Sequence, residues 1–200
     1  MPRRSPGVRL DALLRAASDV IAERGLANTR TADVAAAAGV SQALLFYHFQ
    51  TKERLVAEAF AYTAAREVAR VEATLRAGAA PLETLRRLLR LYRPAGRARP
   101  WALWIDAWSE SLRVPELERA SRRLDARWRE ALTEVITAGT HDGSLKCDDP
   151  SGAAWRIAAL IDGLAVQATV HPRSVSRRDM AGWVRAAAAR EVGLEGDQLA

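Results

Sequence analysis

The sequence predicts an all-α protein of about nine helices, on three observations. Apolar residues recur at three- and four-residue steps along most of the chain, and no stretch alternates apolar and polar residues as a half-buried strand does. Gly, Pro and short polar clusters interrupt the helical pattern at regular intervals.

The first helix carries Leu10, Leu13, Leu14, Ala17, Val20 and Ile21 on one face and ends near Gly25, a residue suited to a helix C-terminus. Two short patterns follow, Thr31 to Ala38 and Gln42 to about His48, separated by Gly39-Val40-Ser41. A fourth helix begins at Thr51 and runs unbroken to about Arg76, its apolar face including Leu55, Ala59, Val68, Val71 and Leu75. Pro81 opens a fifth, to about Tyr92, and the basic Pro-rich run Arg93 to Pro100 breaks the pattern. Trp101, Trp104, Ile105, Trp108 and Leu112 mark a sixth. The seventh starts at Pro115 with Leu117, Leu124, Trp128, Leu132, Val135 and Ile136 facing inward. The last two span about Pro150 to His171 and Ser176 to Glu191, the latter opened by the cap-like Ser176-Arg177-Arg178-Asp179.

About half of the residues are apolar, which is ample for a real core in 200 residues. Thirty basic against twenty-four acidic side chains, a net +6, favour an anionic partner and equally fit a soluble surface. The one cysteine, Cys147, excludes an internal disulfide and has no companions at metal-ligand spacing, so neither metal nor cofactor is expected and a reducing cytoplasm fits. The N-terminus meets Asp11 and Arg15 before any continuous apolar run, so it does not read as a signal peptide. Ala153 to Val170 is the most apolar segment, but Arg156 and Asp162 lie inside it and it is short for a bilayer span, so no membrane segment is expected.

Two short helices across a Gly-containing turn describe a helix-turn-helix. Ala35 and Ala38 are small enough for close approach, Gly39 supplies a positive φ, Val40 and Leu45 plug the core, and Ser41 caps the next helix. That leaves Gln42, Ala43, Leu44, Tyr47 and His48 facing outward. Gln42 suits a bidentate contact to adenine, Ala43 and Leu44 suit a thymine methyl, and Tyr47, His48 and Lys52 suit phosphate oxygens. Thr31, opening the preceding helix, joins the expected DNA contacts. Phe46 and Phe49 fit a small aromatic core. Arg3, Arg4 and Arg9 form a basic arm that suits phosphates or a minor groove and equally a solvated tail, and Arg93, Arg97 and Arg99 read as a solvated loop.

This region resembles the TetR family of transcriptional repressors in Asp33-Val34-Ala35, Ala38-Gly39-Val40-Ser41, Leu45, Tyr47-His48-Phe49 and Lys52-Glu53, over about residues 8 to 60. Phe46 and Leu44 depart from the Tyr and Thr common in the family, which leaves the operator preference open. Later stretches, WALWIDAWSES and ALIDGLAVQA, are similar to a branch that includes choline-responsive repressors. The resemblance implies a DNA-binding domain over residues 1–50, a helical regulatory and dimerisation domain over 51–200, and release from a palindromic operator by a small molecule.

Three functional classes are weighed: a dimeric ligand-responsive repressor on double-stranded DNA, a DNA-binding protein whose C-terminal domain binds a protein partner, and an α-helical enzyme. No Ser/His/Asp spacing, Gly-rich phosphate loop or carboxylate pair supports an enzyme; His141 and His171 read as exposed or helix-end histidines. For the homodimer the expected interface is the last two helices, with Ala158, Gly163 and Ala165 permitting a close crossing and Met180, Trp183, Val184 and Ala187 forming the matching stripe. For the inducer, the resemblance places a pocket among the middle helices, and the sequence gives it walls of Trp101, Trp104, Trp108 and Trp128. Each of these also fits ordinary core packing. Asp162, in an apolar helix, needs a partner: Arg156 of the partner subunit, a helix end, or a ligand in the cavity. In the last case a hydrophobic cation is the expected inducer.

Overall fold

The computed structural model describes residues 10–92, 99–195 and 198–199. Among them are nine helices and no strand: α1 (Leu10–Arg24), α2 (Thr31–Ala38), α3 (Gln42–Phe49), α4 (Lys52–Arg76), α5 (Pro81–Tyr92), α6 (Arg99–Ser111), α7 (Pro115–His141), α8 (Pro150–Val170) and α9 (Arg177–Glu191). Helix α6 starts two residues earlier than the tryptophan stripe suggests. Pro100 is tolerated there because a first-turn residue has no intrahelical acceptor for its N–H. The basic arm Arg3, Arg4 and Arg9 and the loop residues Arg93 and Arg97 lie outside the described residues.

Two compact units divide the chain: Met1–Arg66 with Leu103–Arg123, and Glu67–Ala102 with Leu124–Ala200. The first therefore extends past residue 50 and takes in most of α6 and the start of α7. Its buried residues include Leu13, Ala17 and Ile21 of α1, Val34 and Ala35 of α2, Leu45 and Phe49 of α3, and Phe60 of α4. In the second unit Leu85, Leu88 and Leu89 of α5, Trp128, Leu132 and Ile136 of α7, Ile157 and Ile161 of α8, and Met180 and Val184 of α9 share one core. By length and composition α8 is apolar enough to cross a membrane. One face of it, Ala153, Ala154, Ile157, Ala158, Ile161 and Ala165, is buried in that core.

Helix ends follow from local chemistry. Gly39 closes α2 at φ 66°, and its N–H returns to the carbonyls of Ala35 and Ala36. The Ser41 side chain accepts from the Leu44 N–H at 3.3 Å to start α3. Ser176 does the same for α9 through the Asp179 N–H at 3.0 Å, and Asp149 caps α8 through Gly152 N–H at 2.8 Å.

Candidate nucleic-acid interface and aromatic cluster

Within the first unit the cap, the turn and the buried Leu45 and Phe49 fix which side of α3 faces out. Gln42 and Ala43 are exposed, Leu44 is half-buried, and Tyr47 is 77% exposed. Thr31 donates its hydroxyl to Gln42 Oε1 at 3.3 Å, so two expected DNA contacts meet and the amide is oriented before any ligand arrives. That oxygen keeps a second lone pair, and the Gln42 amide nitrogen keeps its donors, which is the pattern an adenine edge requires. The His48 ring lies edge-on to Tyr47, with centroids 5.3 Å apart, and tilted against Phe49. Lys52 donates to the Ala27 carbonyl at 3.4 Å, a tether to the turn after α1 that a phosphate would have to share or replace.

Phe46 is not part of the aromatic core expected for it. It is 43% exposed whereas Phe49 is buried, because the 100° step of the helix carries residue 46 off the face that holds Leu45 and Phe49. Val40 is only half-buried, leaving Leu45 as the plug.

The four tryptophans are divided between the two units. Trp104 and Trp108 belong to the first unit, where Trp104 packs edge-on against Phe60 at 5.0 Å and lies 5.9 Å from Trp108. Trp101 and Trp128 belong to the second, and Tyr92 stands against both at 5.9 and 4.3 Å. Tyr92 donates its hydroxyl to Asp162 Oδ1 at 3.1 Å. Burial raises the Asp162 carboxyl from its ordinary 3.8 to about 6; the Tyr92 hydrogen bond opposes the shift, Asp125 adds to it and Arg129 reduces it. Burial first, then the charge of Asp162, holds the Tyr92 phenol protonated well above the ordinary phenol range. Two carboxylates act here against one arginine, and that guanidinium lies 3.9 Å over the Trp155 ring. Tyr92 and Asp125 were not singled out in the sequence. The signal for Tyr92 was present: it continues the Leu82, Leu85, Leu89 stripe of α5 by one more step.

Arg156 is held in its own chain. It forms a bidentate pair with Glu191 at 2.9 and 2.7 Å, and Asp149 lies at 3.6 Å. The partner of Asp162 is a tyrosine of the same unit. Of the residues expected at a dimer interface, Ala158, Ala165, Met180 and Val184 are buried in the chain's own core. Ala187 is half-buried, Gly163 is exposed and Trp183 is 52% exposed.

Residues 81–193 match the C-terminal domain of BetI-type transcriptional repressors, and residues 13–59 match the tetR family of bacterial regulatory proteins. The chain belongs to the TetR family. The HTH-type transcriptional regulator BetI of Rhizobium meliloti is 29% identical over 84% of this chain and 82% of its own length. BetI of Agrobacterium fabrum is 30% identical over 80% and 76% respectively. A solved transcriptional regulator from Saccharomonospora viridis, in complex with choline, is 29% identical with a TM-score of 0.79, covering 90% of this chain and 95% of that one. The families and relatives of this TetR chain are transcriptional regulators, not enzymes, and the chain is a transcriptional regulator of the BetI repressor type.

Proposed function

We propose that this TetR-family regulator represses transcription as a homodimer on a palindromic operator in the cytoplasm and is released by a hydrophobic cation bound beside Asp162. One observation carries the ligand class: Tyr92, bonded to Asp162 at 3.1 Å, stands against the rings of Trp101 and Trp128. Aromatic rings with a nearby carboxylate attract a quaternary ammonium group through cation–π and Coulomb terms that strengthen when water is excluded, to about 2 kcal/mol for the ring contribution. The choline carried by the Saccharomonospora viridis regulator is a cation of this class. Trp104 and Trp108 are assigned to the first unit's packing rather than to the ligand.

Gln42, set by Thr31, reads a base edge together with Ala43 and Leu44, while Tyr47, His48 and Lys52 hold phosphates. The dimer uses the exposed residues of α8 and α9, Gly163, Trp183 and Trp155 among them, around a two-fold axis, and places two reading helices roughly 34–36 Å apart. Ligand binding lowers operator affinity by favouring the state that does not fit that spacing.

Calorimetric titration with tetramethylammonium, choline and the uncharged 3,3-dimethyl-1-butanol, each followed by operator binding, tests the reading. Binding of the two cations with loss of operator affinity is expected. Equal binding of the uncharged compound, or full operator affinity at saturating cation, overturns it.

A further inference from the structure

In the first unit, the turn that joins α1 to α2 is held by two residues from elsewhere in the chain. Lys52 of α4 donates to the Ala27 carbonyl at 3.4 Å, and the Leu26 N–H donates to Asp106 Oδ2 of α6, 80 positions away, at 3.4 Å. The same Oδ2 lies against the bare Cα of Gly25, where φ is +80° and a Cβ would stand 3.0 Å from it. The carboxylate thus spans two consecutive residues of the turn. Trp104, edge-on to Phe60 of α4, and the buried Ala107 seat α6 on either side of Asp106, so an exposed carboxylate stands on an anchored helix.

Stability does not explain an acid at this place. The last carbonyls of α1 carry partial negative charge, which favours a base beside them, and among the described residues no basic side chain forms an ion pair with Asp106. The turn is secured without it: Leu26 and Thr29 are buried, and the Thr29 hydroxyl donates to the Gly25 carbonyl at 2.7 Å. What the carboxylate adds is direction, since the Leu26 N–H meets it in only one orientation of the turn. The turn leads into Thr31, which opens α2 and donates to Gln42 Oε1 at 3.3 Å.

We propose, resting on the base-reading role given to Gln42 above, that Asp106 is a positioning residue for sequence-specific DNA binding: from α6 it fixes the α1–α2 turn, and through the turn the place where Thr31 holds the Gln42 amide. Asp106 acts on the choice among sequences and leaves the phosphate contacts of the reading head as they are.

Competition binding at fixed salt tests the proposal, using a duplex selected by the parent protein from a randomised pool and a scrambled duplex of the same composition. Asp106→Ala should weaken binding of the selected duplex about tenfold and leave the scrambled duplex and its salt dependence unchanged. Asp106→Asn, which keeps an acceptor oxygen, should restore most of the affinity. Thr31→Val should cause a similar selective loss and add little to Asp106→Ala, because both act through the Gln42 amide. In Asp106→Ala the Leu26 amide should exchange with solvent faster, while the amides within α1 exchange as before. Selective loss from Gln42→Ala with none from Asp106→Ala overturns the role of Asp106 alone, whereas a uniform loss from Gln42→Ala overturns the base-reading role and this one with it. Equal losses on both duplexes from Asp106→Ala, an Asn variant as weak as the Ala variant, or full additivity with Thr31→Val would each overturn the proposal. Should Asp106→Ala fail to fold, Asp106→Glu, which keeps the charge but displaces the carboxylate by one methylene, must show the same selective loss.

Discussion

At the residue scale Asp162 couples stability to pH with a sign opposite to that of a salt-bridged carboxylate. Its folded-state pKa, about 6, lies above the ordinary 3.8, so the fold prefers the protonated acid. Below about pH 4 both folded and unfolded chains carry the proton and nothing is lost. Between there and pH 6 the unfolded chain releases it first, so stability falls as pH rises, and above pH 6 the fold carries the full cost of the buried charge. Asp162→Asn, which still accepts from Tyr92, should therefore raise stability at pH 7.5 by on the order of 2 kcal/mol and leave it unchanged near pH 3.5. The same substitution should weaken tetramethylammonium binding, because the cation needs the ionised form. Denaturant unfolding at the two pH values and calorimetry measure both arms, and a variant less stable than the parent at pH 7.5 contradicts the assignment. On the DNA side, Gln42→Ala should flatten the preference at one base pair per half-site, costing about 1–3 kcal/mol of discrimination, and Lys52→Ala should weaken all duplexes alike. Competition binding with operator variants at fixed salt separates the two effects; a uniform loss from Gln42→Ala would assign that residue to the backbone.

At the element scale the turn between α2 and α3 is set by two residues acting through different physics. A Cβ at Gly39 would meet nothing within 4 Å, so the cost of Gly39→Ala is purely the left-handed backbone, about 1 kcal/mol. Ser41→Ala removes the cap on the Leu44 N–H and should cost about 1 kcal/mol as well, with loss of DNA binding wherever α3 frays. Chemical denaturation of both variants against the parent checks these values. Gly39, Ser41, Leu45 and Phe49 were legible in the sequence because each answers a local requirement: a positive φ, an unpaired amide, a face at helical spacing. Phe46 was not, since aromatic character gives no direction and only the angular position on α3 separates it from Phe49. Tyr92 continues the Leu82, Leu85, Leu89 stripe of α5, but the stripe does not name the distant carboxylate that its hydroxyl meets.

At the scale of the whole molecule, the exposed indole of Trp183 and the exposed Gly163 are the predicted point of contact between copies. Trp183→Arg should leave each chain folded, because the ring is half-exposed, and shift the protein from dimer to monomer at micromolar concentration in sedimentation. Operator affinity should drop with it, and a variant that remains dimeric moves the interface elsewhere. Periodicity, turn chemistry and motif spacing are written in neighbouring residues, so the all-α pattern, the Ser41 and Ser176 caps, the helix-turn-helix and the family were legible in the sequence. The sequence did not determine which apolar faces a chain spends on its own core. Ala158, Ala165, Met180 and Val184 satisfy the pattern of an interface as well as that of an interior, and the packing of the second unit buries them in the chain's own core. The tertiary structure likewise divided four tryptophans between two units and brought Tyr92 to Asp162 across seventy positions of chain. Helical spacing fixes the side of a helix on which a residue stands, whereas its partner there depends on how distant segments pack.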